Sequence, residues 1–551
     1  MFIIHVYSGI IYGDIMQKIP VAMATQHPDS ASKHIPTREE VDESILAFDR
    51  EKGFNCDEYL VDYMGKLTPY HQIGQIVQRI HEKTNLVPGV DVFVTPRMVS
   101  SFEEEPFRQL MTMLAIVEGI HYCSENFNEQ GIIEVVQAAA TVEALRNCKA
   151  RCEDLLNLVG KHLNMKTEDM NIRIIPLFGG LAEHLSIEQM LSFFIKDVNI
   201  KDYMRVFIGK SEAALLYGHL ASTLSCKLAI TSCRMIEETQ GVGVYPILGC
   251  GTLPFRGHMT LENAENFLRE YQGVRTFTIQ SGLRYDHGLE ETRALIEKIK
   301  IAVDRQPLEF DKDQISEIER MIFIFAKNYL LELSEIAEKA SLIAEYIPDQ
   351  RERLLNVEEV AYYRELRNVE SILRLCPDKD VKKSIMGFAY TAFHRPPRWV
   401  KFVASTYTCG LPPEFIGLGS ALREIKETMG RDSLERLLNE FYPSLDADVR
   451  FASKFLDRNP EHNILLTRRS SEGINELEKL LKLEEPDNRY IILSRLASSY
   501  IRDILVGKSS KGKKLAILIE KEDVAEYLKG LSKENLSKMI LDLGRIRKSL
   551  A

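Results

Sequence analysis

Several things this chain lacks narrow its function before any motif is read. None of its nine cysteines forms a Cys-x-x-Cys pair. Cys148 and Cys152 lie one helical turn apart, but no second pair comes after them at zinc spacing, which argues against a structural zinc site and a redox dithiol. The expected state is nine reduced, mostly buried thiols in a cytoplasmic protein. Positive charge is also in deficit, with 70 Lys and Arg against 80 Asp and Glu and a net charge of −10. Broad binding to nucleic acid or to a membrane surface needs a basic field, so neither is expected, though local cationic pockets for small anions remain open. The one basic run, 507–514, reads as a solvated loop.

No apolar run is long enough to span a bilayer. Residues 1–7 are apolar but have no basic flank and no small-residue cleavage site, and Asp14 and Lys18 add charge soon after. Met16 is a candidate start, which makes 1–16 a non-native start or a disordered tail. There is no internal repeat or low-complexity tract. The Gly-x-Gly at 249–251 has no third glycine and no helix start behind it, because Pro254 and Phe255 stand there; it is not a dinucleotide fingerprint.

With 551 residues, 45% of them apolar, the chain can bury a large core. The stretch Gly249-Cys250-Gly251-Thr252-Leu253-Pro254-Phe255-Arg256-Gly257-His258 comes after an apolar run, 242–248, that reads as a buried strand. Its glycines allow close approach of backbone to a ligand. Arg256 offers a planar fork suited to phosphate or carboxylate. Around it, strands and helices alternate. Strands are predicted at 19–23, 58–63, 91–95, 131–136, 171–178, 205–208, 242–248 and 274–280, with helical periodicity between them. Eight such units in 280 residues imply an α/β fold, a (β/α)8 TIM-like barrel, with a large C-terminal all-helical extension. The expected division is 17–305 for the barrel core and 306–551 for helices packed on it, with site loops near 393–414. His27, Lys66, Arg97, Glu134, Lys210, Glu212, Arg256 and Arg284 are all placed near the C-terminal ends of predicted strands, the rim where such barrels keep their active sites.

These segments resemble the archaeal-type phosphoenolpyruvate carboxylases, the short form of that enzyme. The resemblance lies in Ala24-Thr25-Gln26-His27-Pro28-Asp29, Gly65-Lys66-Leu67-Thr68-Pro69-Tyr70-His71-Gln72, Val94-Thr95-Pro96-Arg97, the run 246–258, Leu283-Arg284-Tyr285-Asp286-His287-Gly288 and Gly410-Leu411-Pro412-Pro413-Glu414. It implies a barrel enzyme, a homotetramer, that joins bicarbonate to phosphoenolpyruvate with Mg2+ or Mn2+ and releases oxaloacetate and phosphate through carboxyphosphate and an enolate. On that reading His27 and Arg256 are catalytic, and Lys66, Arg97, Lys210, Arg284 and Arg398 bind substrate. The family's acids are partly replaced: Gly179 stands where the family has Glu, Glu212 where it has Asp, Lys210 where it has Arg, and Met64 where it has Glu. The metal would then fall to Glu212 and Glu134 with waters, or with Glu183 moving in. The alternatives are a catalytically impaired homologue that binds phosphoenolpyruvate or a dicarboxylate, or a related barrel lyase acting through an enolate.

Overall fold

The structure, a computed structural model, describes residues 19–66, 71–99, 106–139, 141–167, 170–303, 307–353, 369–392, 397–506 and 533–551. The segments 1–16, 67–70, 393–396 and 507–514, which figure in the sequence reading, lie outside the described residues. Eight parallel strands close a barrel in chain order. They are β1 (Ala22–Thr25), β2 (Glu58–Asp62), β3 (Phe93–Arg97), β4 (Glu134–Ala138), β5 (Arg173–Phe178), β6 (Tyr203–Gly209), β7 (Gly243–Gly249) and β8 (Thr276–Ile279). Closure is the β1–β8 pairing, with Ala22 opposite Phe277 and Ala24 opposite Ile279.

The crossover helices lie on the barrel through apolar stripes of helical period. The helix Gln72–Lys83 buries Ile73, Ile76, Val77 and Ile80, one face over two turns. The crossover after β6 is two helices, Ser211–Tyr217 and His219–Gln240, broken at Gly218 with φ +90°. A Cβ on Gly218 would stand 2.7 Å from the ring of Tyr329, so the break admits the long C-terminal helix against the barrel. That helix, Lys312–Ala344, begins at Asp311, whose carboxylate accepts the Gln314 N–H at 2.8 Å. Its buried face shares one hydrophobic core with Leu215, Leu220 and Phe255 of the barrel's C-terminal side. No helix among the described residues is long and apolar enough to cross a membrane. All nine cysteines are free and buried.

Side chains that point into the barrel alternate along each strand and stack in layers. Met23, Leu60, Val136, Ile175, Leu177, Phe207 and Ile247 form an apolar plug at mid-height. Below it, at the N-terminal ends of the strands, lies a buried ion cluster. Arg205 donates from Nη2 to Glu58 Oε2 at 2.7 Å and from Nη1 to Glu134 Oε2 at 2.9 Å, and Nη2 reaches Thr276 Oγ1 at 3.0 Å. This position corrects the expectation for Glu134. Its strand starts at residue 134, three later than predicted, so Glu134 is the first residue of β4 rather than its fourth. Its carboxylate faces the end of the barrel opposite the C-terminal rim and cannot take part in a metal site there. Burial raises its pKa above the ordinary range, against the pull of Arg205. Arg205→Met removes the guanidinium that both acids share and leaves two buried carboxylates uncompensated. The expected cost is about 3–5 kcal/mol of folding stability, read from the denaturant midpoint; a loss under about 1 kcal/mol would show that the cluster relaxes freely.

Candidate active site

Above the apolar plug the barrel opens. The inward positions at the top of three neighbouring strands are glycines: Gly179 just past β5, Gly209 on β6 and Gly249 on β7. A Cβ on Gly249 would meet the ring of Phe207 at 2.9 Å, and one on Gly179 would meet Glu212 Oε2 at 2.9 Å. Leaving these side chains out makes a cavity of about 190 Å3, lined by residues that include His27, Asp62, Arg97, Glu212, Arg256, Gln280, Arg353, Arg398 and Trp399. Four guanidinium groups face two carboxylates there, so the cavity suits an anion.

Arg256 is held on several sides. It is 1% exposed, its Nε donates to Ser211 Oγ at 3.1 Å, its Nη1 bonds Gln280 Oε1, and its guanidinium lies 3.9 Å from the ring centre of Trp399. The loop that carries it is closed by backbone bonds from Gly251 N–H to Arg256 O (2.9 Å) and from Met259 N–H to Gly251 O (2.9 Å). It turns through Gly257, whose φ of +112° only glycine adopts freely. From the helical region, Glu414 accepts the Phe255 N–H at 2.9 Å and the Tyr407 hydroxyl at 3.0 Å. The Gly410–Glu414 segment thus braces the Arg256 loop from outside the barrel. Burial lifts the Glu414 carboxyl to about 7.

His27 comes just after β1 at an inward position. Its ring stacks on Trp399 with centroids 4.9 Å apart and planes 9° from parallel. Its Nε2 is shielded from water and has no hydrogen-bond partner. Burial, then the fields of Arg256, Arg398, Arg97 and Arg351, hold its pKa well below the usual value. At neutral pH it is therefore an uncharged imidazole beside a positively charged pocket, able to accept a proton. On the two strands after β1, Asp62 on β2 lies 3.6 Å from Arg97 on β3. Arg353 is held by Glu40 Oε1 at 3.1 Å and the Gln26 carbonyl at 3.4 Å.

His27, Arg97, Glu212, Arg256 and Arg398 thus come together as expected from sequence. Three other expected residues do not line the cavity. Lys66 Nζ turns to Gln26 Oε1 at 2.7 Å and Glu40 Oε2 at 3.0 Å, behind β1 and β2. Lys210 is next to inward Gly209, so the alternation sends it outward; Nζ donates to Thr223 Oγ1 at 2.8 Å. Burial brings each of these ammonium groups down to about 8. Arg284, on the turn after β8, binds the Thr25 carbonyl at 2.6 Å and Glu43 at 2.9 Å from a position behind β1. All three support the rim from beneath rather than face the cavity. Glu183 is likewise engaged, accepting the Gly179 and Gly180 N–H groups at 2.8 and 3.2 Å.

Sequence reading missed Asp62, Ser211, Gln280, Arg353 and Trp399. Asp62 and Gln280 carried a signal, since each lies two residues beyond an inward neighbour on its strand. Trp399 carried one too, as the only tryptophan in the chain, next to Arg398. Arg353 had none, because its place depends on how the segment after the long helix returns to the barrel.

Known proteins match this architecture along most of its length. A family profile described as phosphoenolpyruvate carboxylase matches residues 19–551. The phosphoenolpyruvate carboxylase of Methanosarcina acetivorans is 40% identical over 484 residues, covering 86% of this chain and 91% of that protein. That of Methanosarcina mazei is 39% identical over 86% of this chain and 91% of its own length. That of Methanopyrus kandleri is 34% identical over 80% and 84%. With a rim cavity of arginines around an uncharged histidine, and with a match that runs from the first barrel strand to the last residue, the chain belongs to the phosphoenolpyruvate carboxylase family.

Proposed function

We propose that the cavity carboxylates phosphoenolpyruvate with bicarbonate, giving oxaloacetate and phosphate. The observation that carries the reading is the juxtaposition of Arg256 and uncharged His27 inside a cavity with an excess of guanidinium groups. Phosphoenolpyruvate brings a phosphate and a carboxylate, and Arg97, Arg256, Arg353 and Arg398 supply forks for both. With its charge spread over these donors, the phosphorus is open to attack by a bicarbonate oxygen. The new P–O bond forms carboxyphosphate as the bond to the enol oxygen breaks, leaving the enolate of pyruvate. His27 takes the carboxyl proton of carboxyphosphate, which then splits into CO2 and phosphate. The enolate carbon adds to CO2 inside the cavity, and His27 returns its proton to phosphate.

A divalent cation, Mg2+ or Mn2+, fits beside Glu212. Among the described residues no three His, Cys, Asp or Glu side chains converge on one point. A small hard cation does not need three; it commonly takes one or two carboxylates, with water and substrate oxygens filling the rest. Glycine at 179 leaves the Glu212 carboxylate its place, since a Cβ there would stand 2.9 Å from Oε2. Bound there, the ion supplies positive charge to the oxygen on which the enolate's charge develops. Gly179→Ala should displace that carboxylate and weaken Mn2+ binding about 10-fold, with Glu212→Gln weakening it about 10–100-fold, both read by electron paramagnetic resonance without substrate. Unchanged Mn2+ affinity in Glu212→Gln would place the ion elsewhere. A cytoplasmic homotetramer completes the reading, supported for the compartment by nine buried thiols. The test is a coupled assay for oxaloacetate, in which turnover must require phosphoenolpyruvate, bicarbonate and a divalent ion together. Turnover without bicarbonate would assign a different reaction.

A further inference from the structure

We propose that Trp399 is a positioning residue that holds His27 and Arg256 in working register, so that the helical region sets the geometry of the barrel's chemistry. The inference rests on the proposed carboxylation for its kinetic part alone. Three observations carry it. His27 and the Trp399 indole are stacked almost parallel, 9° apart at 4.9 Å. The Arg256 guanidinium lies over the same indole at 3.9 Å. Trp399 is 7% exposed and opens the helix Trp399–Thr408, whose apolar residues pack into the core shared by the helical region and the barrel.

The indole gives both groups one flat surface in common. His27 sits in a loop after β1, has its Nε2 without a partner, and is next to Pro28, so its ring orientation depends on what packs on its faces. Arg256 has one edge tied to Ser211 and Gln280, and the indole fixes its plane. A flat aromatic surface suits both groups: an imidazole stacks on it, and a guanidinium gains cation–π attraction while its forks stay free. A branched aliphatic side chain would fill only part of the volume and would align neither plane. The indole also keeps water from the imidazole face, in line with the lowered basicity of His27.

The experiment compares Trp399→Phe, which keeps a ring, with Trp399→Leu, which does not. Histidine labelled at Cε1 gives 13 signals by composition, and His27→Gln identifies the one from His27. In the wild-type protein, without substrate, that proton should lie upfield of the range of a solvated histidine because of the indole ring current. It should stay upfield in Trp399→Phe and move to the ordinary range in Trp399→Leu. In the coupled assay, Trp399→Phe should keep kcat within about threefold, while Trp399→Leu should lose about 30-fold or more, chiefly in kcat, as a misplacement near 1 Å does. Both variants should fold, read by circular dichroism, with Trp399→Leu melting a few degrees lower because the smaller side chain leaves a cavity in the shared core. An ordinary wild-type shift for His27, or equal kinetics in the Phe and Leu variants, would overturn the proposal. If the wild type makes no oxaloacetate, the proposed reaction fails while the ring-current test still decides the stack.

Discussion

His27→Asn is expected to lower kcat for oxaloacetate formation by about 10²–10⁴-fold, the range that a positioned acid–base group supplies. Asparagine fills the space but cannot accept a proton. The fold should survive, because the buried Nε2 of His27 bonds nothing that holds the structure, and affinity for phosphoenolpyruvate should change little, since the guanidinium groups remain. The wild-type pH profile makes the same point. Burial and then the surrounding arginines favour the uncharged imidazole, so its folded pKa is lowered. The base form therefore persists below the ordinary value, and the acidic limb of kcat/KM, which reports the free enzyme, should fall well below pH 6.5. An acidic limb centred near pH 6.5 would mean that the active base is a solvated histidine instead.

Arg256→Lys should cost about 10²–10³-fold in kcat, the typical loss on removing one preorganised donor from a transition-state site. A lysine keeps the charge but not the plane. It cannot bond Ser211 and Gln280 at once and also lie flat on Trp399, as the guanidinium does. The variant should fold, because the loop is closed by backbone bonds and by Glu414, none of which involves the 256 side chain. If Arg256→Lys left kcat/KM unchanged, the residue would be supplying charge alone and the planar fork would drop out of the account.

The barrel was legible because its signal is redundant. Eight apolar runs separated by helical stripes fix the number of strands and, through parallel pairing, closure in chain order. Which residues line the cavity was only half legible, for one reason: a strand sends alternate side chains to opposite faces, so an error of one residue in its register moves a side chain from cavity to exterior. Lys210 next to Gly209 shows this, and so does Glu134, which a three-residue shift of β4 moved from one end of the barrel to the other. Lys66 and Arg284 were misread for a different reason. Their positions beyond strand ends are correct, but buried Glu40 and Glu43 draw them away from the cavity. Those acids lie on the helix Glu40–Phe48, where sequence gives no sign that they are buried. Arg353 and Trp399 come from chain folded back over the barrel, contacts that local periodicity does not encode.

The proposed order of events, with bicarbonate reaching phosphorus before any carbon–carbon bond forms, is tested most directly by the fate of 18O. Labelled bicarbonate is supplied during turnover, and the phosphate and the oxaloacetate are read by mass spectrometry. One labelled oxygen is expected in each phosphate released, and the other two in the new carboxylate of oxaloacetate. Phosphate carrying no label, with oxaloacetate still formed, would show that carbon is attacked without phosphoryl transfer to bicarbonate, and would contradict the roles of Arg256 and His27 in that transfer.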